Sequence, residues 1–175
     1  LTPLNTTNVT NMSGIFTLCE SLESVLVNGL NTANVTTMNN IFDRCYSLKA
    51  ADISSWNTQN VTTFKRMFYK CNSISEVKLK CSKTSLAESG VEEMFNNCYM
   101  LTSVDMSAFD FNNANNFTSI FCDCKSLQTV IFGKSNTSKI KYMKNAFLGT
   151  GGYGDFTCVN ADFSSAENMD AAFKG

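Results

Sequence analysis

The residues able to do chemistry are eight cysteines, scattered carboxylates and amines, and one glycine-rich run. Histidine is absent, which removes the commonest general base and the commonest neutral metal ligand. Cys122-Asp123-Cys124 places two thiols close in sequence. A structural metal site needs four ligands, and no second cysteine pair lies nearby to complete one. No histidine is there to activate a serine or cysteine nucleophile. Gly149-Thr150-Gly151-Gly152-Tyr153-Gly154 lacks the Gly-Lys-Ser/Thr ending of a phosphate loop. This inventory points away from an enzyme, and neither a cofactor nor a metal is expected.

The cysteine spacing instead exposes a repeat. Cys19, Cys45, Cys71, Cys98 and Cys124 each lie three residues after a phenylalanine. Those phenylalanines continue as Phe16, Phe42, Phe68, Phe95, Phe121, Phe147 and Phe173, in steps of 26, 26, 27, 26, 26 and 26. Met12, Met38, Phe64, Val91, Phe117, Met143 and Met169 stand four residues before them. Self-similarity at a fixed period of this length is the signature of a repeat architecture. The cysteine column is then a ladder of small buried side chains, reduced rather than disulfide-bonded. The extra residue falls within Cys81–Gly90, where a bulge in one rung is expected.

Each rung has two halves. Val9, Met12, Phe16 and Cys19 sit at steps of three, four and three, which is helical periodicity. Asn8 precedes them as an N-cap, with Asn34, Asn60 and Asn113 in the same column. The second half reads Leu22-x-x-Val25-x-Val27, then Leu48, Ala51, Ile53; Ile74, Val77, Leu79; Leu101, Val104, Met106; and Leu127, Val130, Phe132. Its last positions alternate with polar ones, as in a short strand buried on one face. Stacking joins these apolar sides into one core. The expected fold is an α/β repeat solenoid of about seven 26-residue rungs, leucine-rich-repeat-like. A parallel β-sheet forms one wall and short helices the other, in a single unit over residues 1–175.

The pattern Asn-Thr-x-Asn-Val-Thr-x-Met-x-x-Ile-Phe-x-x-Cys-x-Ser-Leu, at Asn5–Leu22 and Asn31–Leu48, resembles the bacterial surface protein 26-residue repeat. That group is close to BspA-type leucine-rich repeats and mycoplasma lipoprotein repeats. The resemblance covers nearly the whole chain, with departures at 76–94 and 148–165, notably Thr150. It implies secreted or surface-anchored proteins used in adhesion or host-protein contact, and it implies no catalytic residues.

Composition agrees with an ordered chain: 43% hydrophobic and 17% charged residues, with a net charge of −1. Near-neutrality argues against nucleic acid, and no apolar run is long enough to span a bilayer. The chain opens on Leu1 rather than Met and reads as a fragment of a longer array, with further repeats or a capping domain expected beside it. Seven Asn-x-Ser/Thr sequons arise from the repeat itself. Lys134, Lys139, Lys141 and Lys144 form a basic stretch, and Glu88, Glu92 and Glu93 an acidic one. Both read as solvated faces. The functional expectation is an extracellular or cell-surface module that binds protein or glycan. Asp52, Glu76, Lys78, Lys80 and Asp105 on the exposed sheet face are the expected contacts. Arg44, Lys65, Arg66 and Lys70 form a competing site on the other wall. The alternative is a structural spacer without a ligand.

Overall fold

The computed structural model describes residues 4–79, 84–132, 137–152 and 154–175. Its strands are β1 (Ala50–Asp52), β2 (Glu76–Lys78), β3 (Thr84–Ser85), β4 (Ser103–Asp105), β5 (Phe109–Asp110), β6 (Thr129–Ile131) and β7 (Thr157–Val159). The only helical element among the described residues is a single 3-10 turn, Thr137–Lys139. The chain coils, and each 26-residue repeat forms one rung hydrogen-bonded to the next. Ala50 pairs with Glu76, Ser103 with Thr129, and Thr129 with Thr157, all parallel. Where three residues alternate, the middle one turns inward: Ala51, Val104 and Val130 are buried between exposed or half-exposed neighbours.

Among the described residues the expected helical wall is absent, and the α/β assignment is corrected to a coil of turns and short parallel strands. In rung three the amide of Met67 bonds to Phe64, Tyr69 to Arg66, and Cys71 to Phe68. These are i to i+3 bonds that close consecutive β-turns. The residues two before and two after each of the first six phenylalanines have positive φ, for example Asn40 (56°), Arg44 (60°), Arg66 (55°) and Lys70 (57°). A left-handed residue at the third position is the mark of a type II turn, and it forbids a continuing right-handed helix. Steps of three and four therefore arose from chained turns, which return side chains to one face much as a helix does.

Those turns stack. At each of the six rung interfaces among the described residues, three amides bond to carbonyls of the following rung at 2.7–3.1 Å. One set is Asn40 to Lys65, Phe42 to Met67 and Arg44 to Tyr69. The seven phenylalanines beneath them form an unbroken stack, with centroids 5.1–5.5 Å apart and planes within 18° of parallel. Rings buried in this offset arrangement contribute about 0.5–1.5 kcal/mol per pair beyond their area.

Three smaller ladders complete the frame. Threonine hydroxyls clamp the next rung: Thr32 Oγ1 donates to the Asn57 carbonyl (3.0 Å) and accepts its amide (2.7 Å). Asparagine amides reach backwards, Asn34 to the Thr7 carbonyl and Asn60 to that of Ala33, each at 2.8 Å. That column bridges rungs and does not cap helices. Thiols do likewise: Cys45, Cys71, Cys98 and Cys124 donate to the carbonyls of Phe16, Phe42, Phe68 and Phe95 at 3.0–3.1 Å.

Instead of one continuous sheet, the described residues hold separate sheets β1–β2 and β4–β6–β7, with β3–β5 apart from both. The insertion lies between the first two. Cys81 itself lies outside the described residues. From Thr84 the chain pairs with Phe109, and at Gly90 it returns against rung three. A Cβ at Gly90 would meet the Thr62 carbonyl at 2.8 Å, so only glycine fits without a shift.

Candidate functional site

The sheet wall presents Ser24, Ala50 and Glu76 along one column, and Leu26, Asp52 and Lys78 along the next. Small residues above larger ones leave a shallow concavity of about 200 Å³, lined among others by Ser24, Ala50, Asp52, Glu76 and Lys78. Three of the five expected contacts thus come together. Asp105 ends β4 in the other sheet and does not line the concavity. Lys80 lies outside the described residues.

The charges here are not free alike. Glu76 and Lys78 point the same way from one strand, 3.6 Å apart and well exposed. Such a pair is worth little and can open to a ligand. Asp52 Oδ1 accepts the Ser54 hydroxyl (2.6 Å) and the Ser54 amide (3.0 Å). Those bonds, helped by Lys78, hold its carboxyl below the usual range. Asp105 Oδ1 accepts the Ser107 amide at 2.8 Å in the same manner. Both aspartates build the turn that leaves the strand, a role the Asp-x-Ser spacing could have disclosed.

On the turn wall, Glu92 and Glu93, which the sequence presents as part of a separate solvated face, consume much of the competing cationic site. Lys65 meets Glu92 at 2.7 Å and Arg66 meets Glu93 at 3.3 Å. The Arg66 guanidinium lies over the Tyr69 ring at 3.9 Å. Asp43 is buried between Arg44 and Arg66, each at 3.9 Å. Burial raises its carboxyl above the usual range, against the pull of Arg66, Arg44 and Lys70. Buried Asn40 Oδ1, Asp43 Oδ1 and Arg66 Nε have no hydrogen-bond partner. For Arg66 Nε, the contact with Glu93 is an ion pair without hydrogen-bond alignment.

The thiols are poor nucleophiles. Burial pushes Cys45 and Cys122 up to about 11 and Cys158 to about 12, while thiolate is the reactive form. The described cysteines are free. Cys19 is exposed, unlike the buried column expected from Cys19 to Cys124. Thr150 stands in the same column and donates to the Phe121 carbonyl at 2.8 Å. Its departure from the repeat therefore keeps the bond and changes only the donor atom. Cys122 and Cys124 point to different partners, the first 3.6 Å from Asp123 Oδ2 and the second on Phe95.

Twice along its length, over residues 1–89 and 83–175, the chain matches the family model described as Mycoplasma protein of unknown function, DUF285. The chain belongs to this family. No curated protein matches it. In this DUF285 chain the two matched segments meet at the irregular rung, over residues 83–89. Among the described residues no helix is long and apolar enough to cross a membrane.

Proposed function

We propose that this DUF285 chain is a non-catalytic recognition module, extracellular or at the cell surface, that contacts protein or glycan through its sheet wall. The concavity beside Glu76 and Lys78 carries this reading. It combines a small-residue floor with an exposed acid and base that hold each other weakly. Short strands tied into a rigid coil present these groups with little ordering cost on binding. The resemblance of the repeat pattern to BspA-type leucine-rich repeats supports the same reading.

One observation favours the alternative, a spacer with no ligand of its own. Asp52 and Asp105 are committed to turns, so less of the sheet wall is available for contact. The test is a binding screen of the whole chain against host matrix proteins and glycans. A hit is repeated with Glu76→Ala/Lys78→Ala and with Lys65→Ala/Arg66→Ala. Loss with the first pair alone supports the sheet wall, and loss with the second alone moves the site to the turn wall. Absence of any ligand supports the spacer.

A further inference from the structure

The turn that leaves the sheet wall is built alike in rungs two and four and differently in rung one. In rung two Asp52 takes the Ser54 amide and Trp56 bonds back to Ile53 at 3.0 Å. In rung four Asp105 takes the Ser107 amide and Phe109 bonds back to Met106 at 3.0 Å. Rung one has Leu26 in the aspartate column and Asn28-Gly29 where the others have Ser54-Ser55 and Ser107-Ala108. Leucine cannot accept the amide of residue 28. Among the described residues no hydrogen bond holds the Gly29 amide. Gly29 is exposed with φ 92°, and a Cβ there would meet nothing within 4 Å. The Asn28 side chain has only a 3.5 Å contact with Ser55 Oγ.

We propose that Asn28 is a site of spontaneous deamidation, with water as co-reactant. Hydroxide or a buffer base takes the proton of the Gly29 amide, and that nitrogen attacks Asn28 Cγ. The new N–C bond closes a five-membered succinimide as the C–NH2 bond breaks and ammonia leaves. Water then adds to either ring carbonyl and opens the ring, giving aspartate or isoaspartate at position 28. The reaction needs a mobile asparagine side chain, an amide without a hydrogen-bond acceptor, and no side chain on the next residue to crowd the ring. Asn28-Gly29 meets all three conditions. Asn31 and Asn57 do not. Each is followed by threonine, and their side-chain oxygens accept the amides of Ala33 and Gln59 at 3.1 Å. The outcome is a new negative charge beside exposed Leu26, at the rim of the sheet wall.

The test is mass spectrometry of peptides from the whole folded chain after incubation in mildly alkaline buffer. A gain of about one dalton is expected on the peptide holding Asn28, as NH2 gives way to OH. It should appear as two products of equal mass, many-fold faster than at Asn31 or Asn57. Leu26→Asp should slow it several-fold by restoring the bond to residue 28, and Gly29→Ala should slow it further. Reaction at Asn28 no faster than at Asn31 and Asn57 in the folded chain would overturn the proposal. So would an unchanged rate in Leu26→Asp.

Discussion

The turn wall and the sheet wall respond differently to the same disturbance. The 27-residue step occurs once, and the sheet is divided there between β2 and β4. Across the same interface the turn wall keeps all three of its bonds, Arg66 to Glu92, Phe68 to Met94 and Lys70 to Asn96, at 2.8–3.0 Å. Phe68 and Phe95 still stack at 5.4 Å. The coil is therefore organised around its turns, where backbone, ring and thiol ladders coincide on few residues. The three-residue strands follow where they can.

The largest expected effect lies in the ring stack. Phe68→Ala should destabilise by about 3–5 kcal/mol, as for other fully buried phenylalanines. Val77→Ala, half-buried in β2, should cost about 1 kcal/mol. Urea denaturation of both variants measures the contrast, and equal losses would end the idea of a dominant turn wall.

Next is the thiol ladder. Cys98→Ala should cost about 0.5–1.5 kcal/mol, because the buried Phe68 carbonyl keeps the Cys71 amide and loses the second of its two donors. Cys98→Ser should recover part of that loss, since Thr150 shows that a hydroxyl serves in this column. If both variants lose equally in calorimetry, the thiol acts by volume alone.

The same burial gives a pH dependence. Raised thiol values mean that the unfolded chain loses its protons first as pH rises. Their contribution is complete below the ordinary value near 9 and is lost as pH climbs toward about 11 for Cys45. Denaturation midpoints should fall over that window, and Cys45→Ala should flatten part of the fall.

Backbone strain is a smaller lever. Lys70 holds a φ of 57° where other rungs place Asn97, Asp123 or Gly149. Lys70→Asn should stabilise by about 0.5–1 kcal/mol, because asparagine tolerates that region better. A lowered melting temperature would show that the Lys70 contact with Tyr69 outweighs the strain. The smallest effect belongs to Glu76→Ala/Lys78→Ala on the sheet wall, under about 0.5 kcal/mol in the same melts. A large loss there would give the sheet more weight than its split suggests.

The sequence by itself determined the 26-residue period, the inward columns and the irregular rung, because every interior position must match its neighbour one repeat away. Val77, Val104 and Val130 could be placed on short strands from alternation alone. It also determined which charges share a face, so Asp52, Glu76 and Lys78 were legible as a group. Only the tertiary structure decided that Phe16 to Cys19 and their copies are turns. Helix and chained type II turns return side chains at nearly the same steps, and they differ in where the amides bond. In a helix those partners lie within the segment. Here alternate amides bond a full repeat away, a destination that no local spacing reveals. Gly14, Asn40, Asn97, Asp123 and Gly149 in the two left-handed columns were the local trace of it. Arg66, Lys70 and Glu93 obscured that trace, because packing against the adjoining rungs holds them in a conformation their own preferences disfavour.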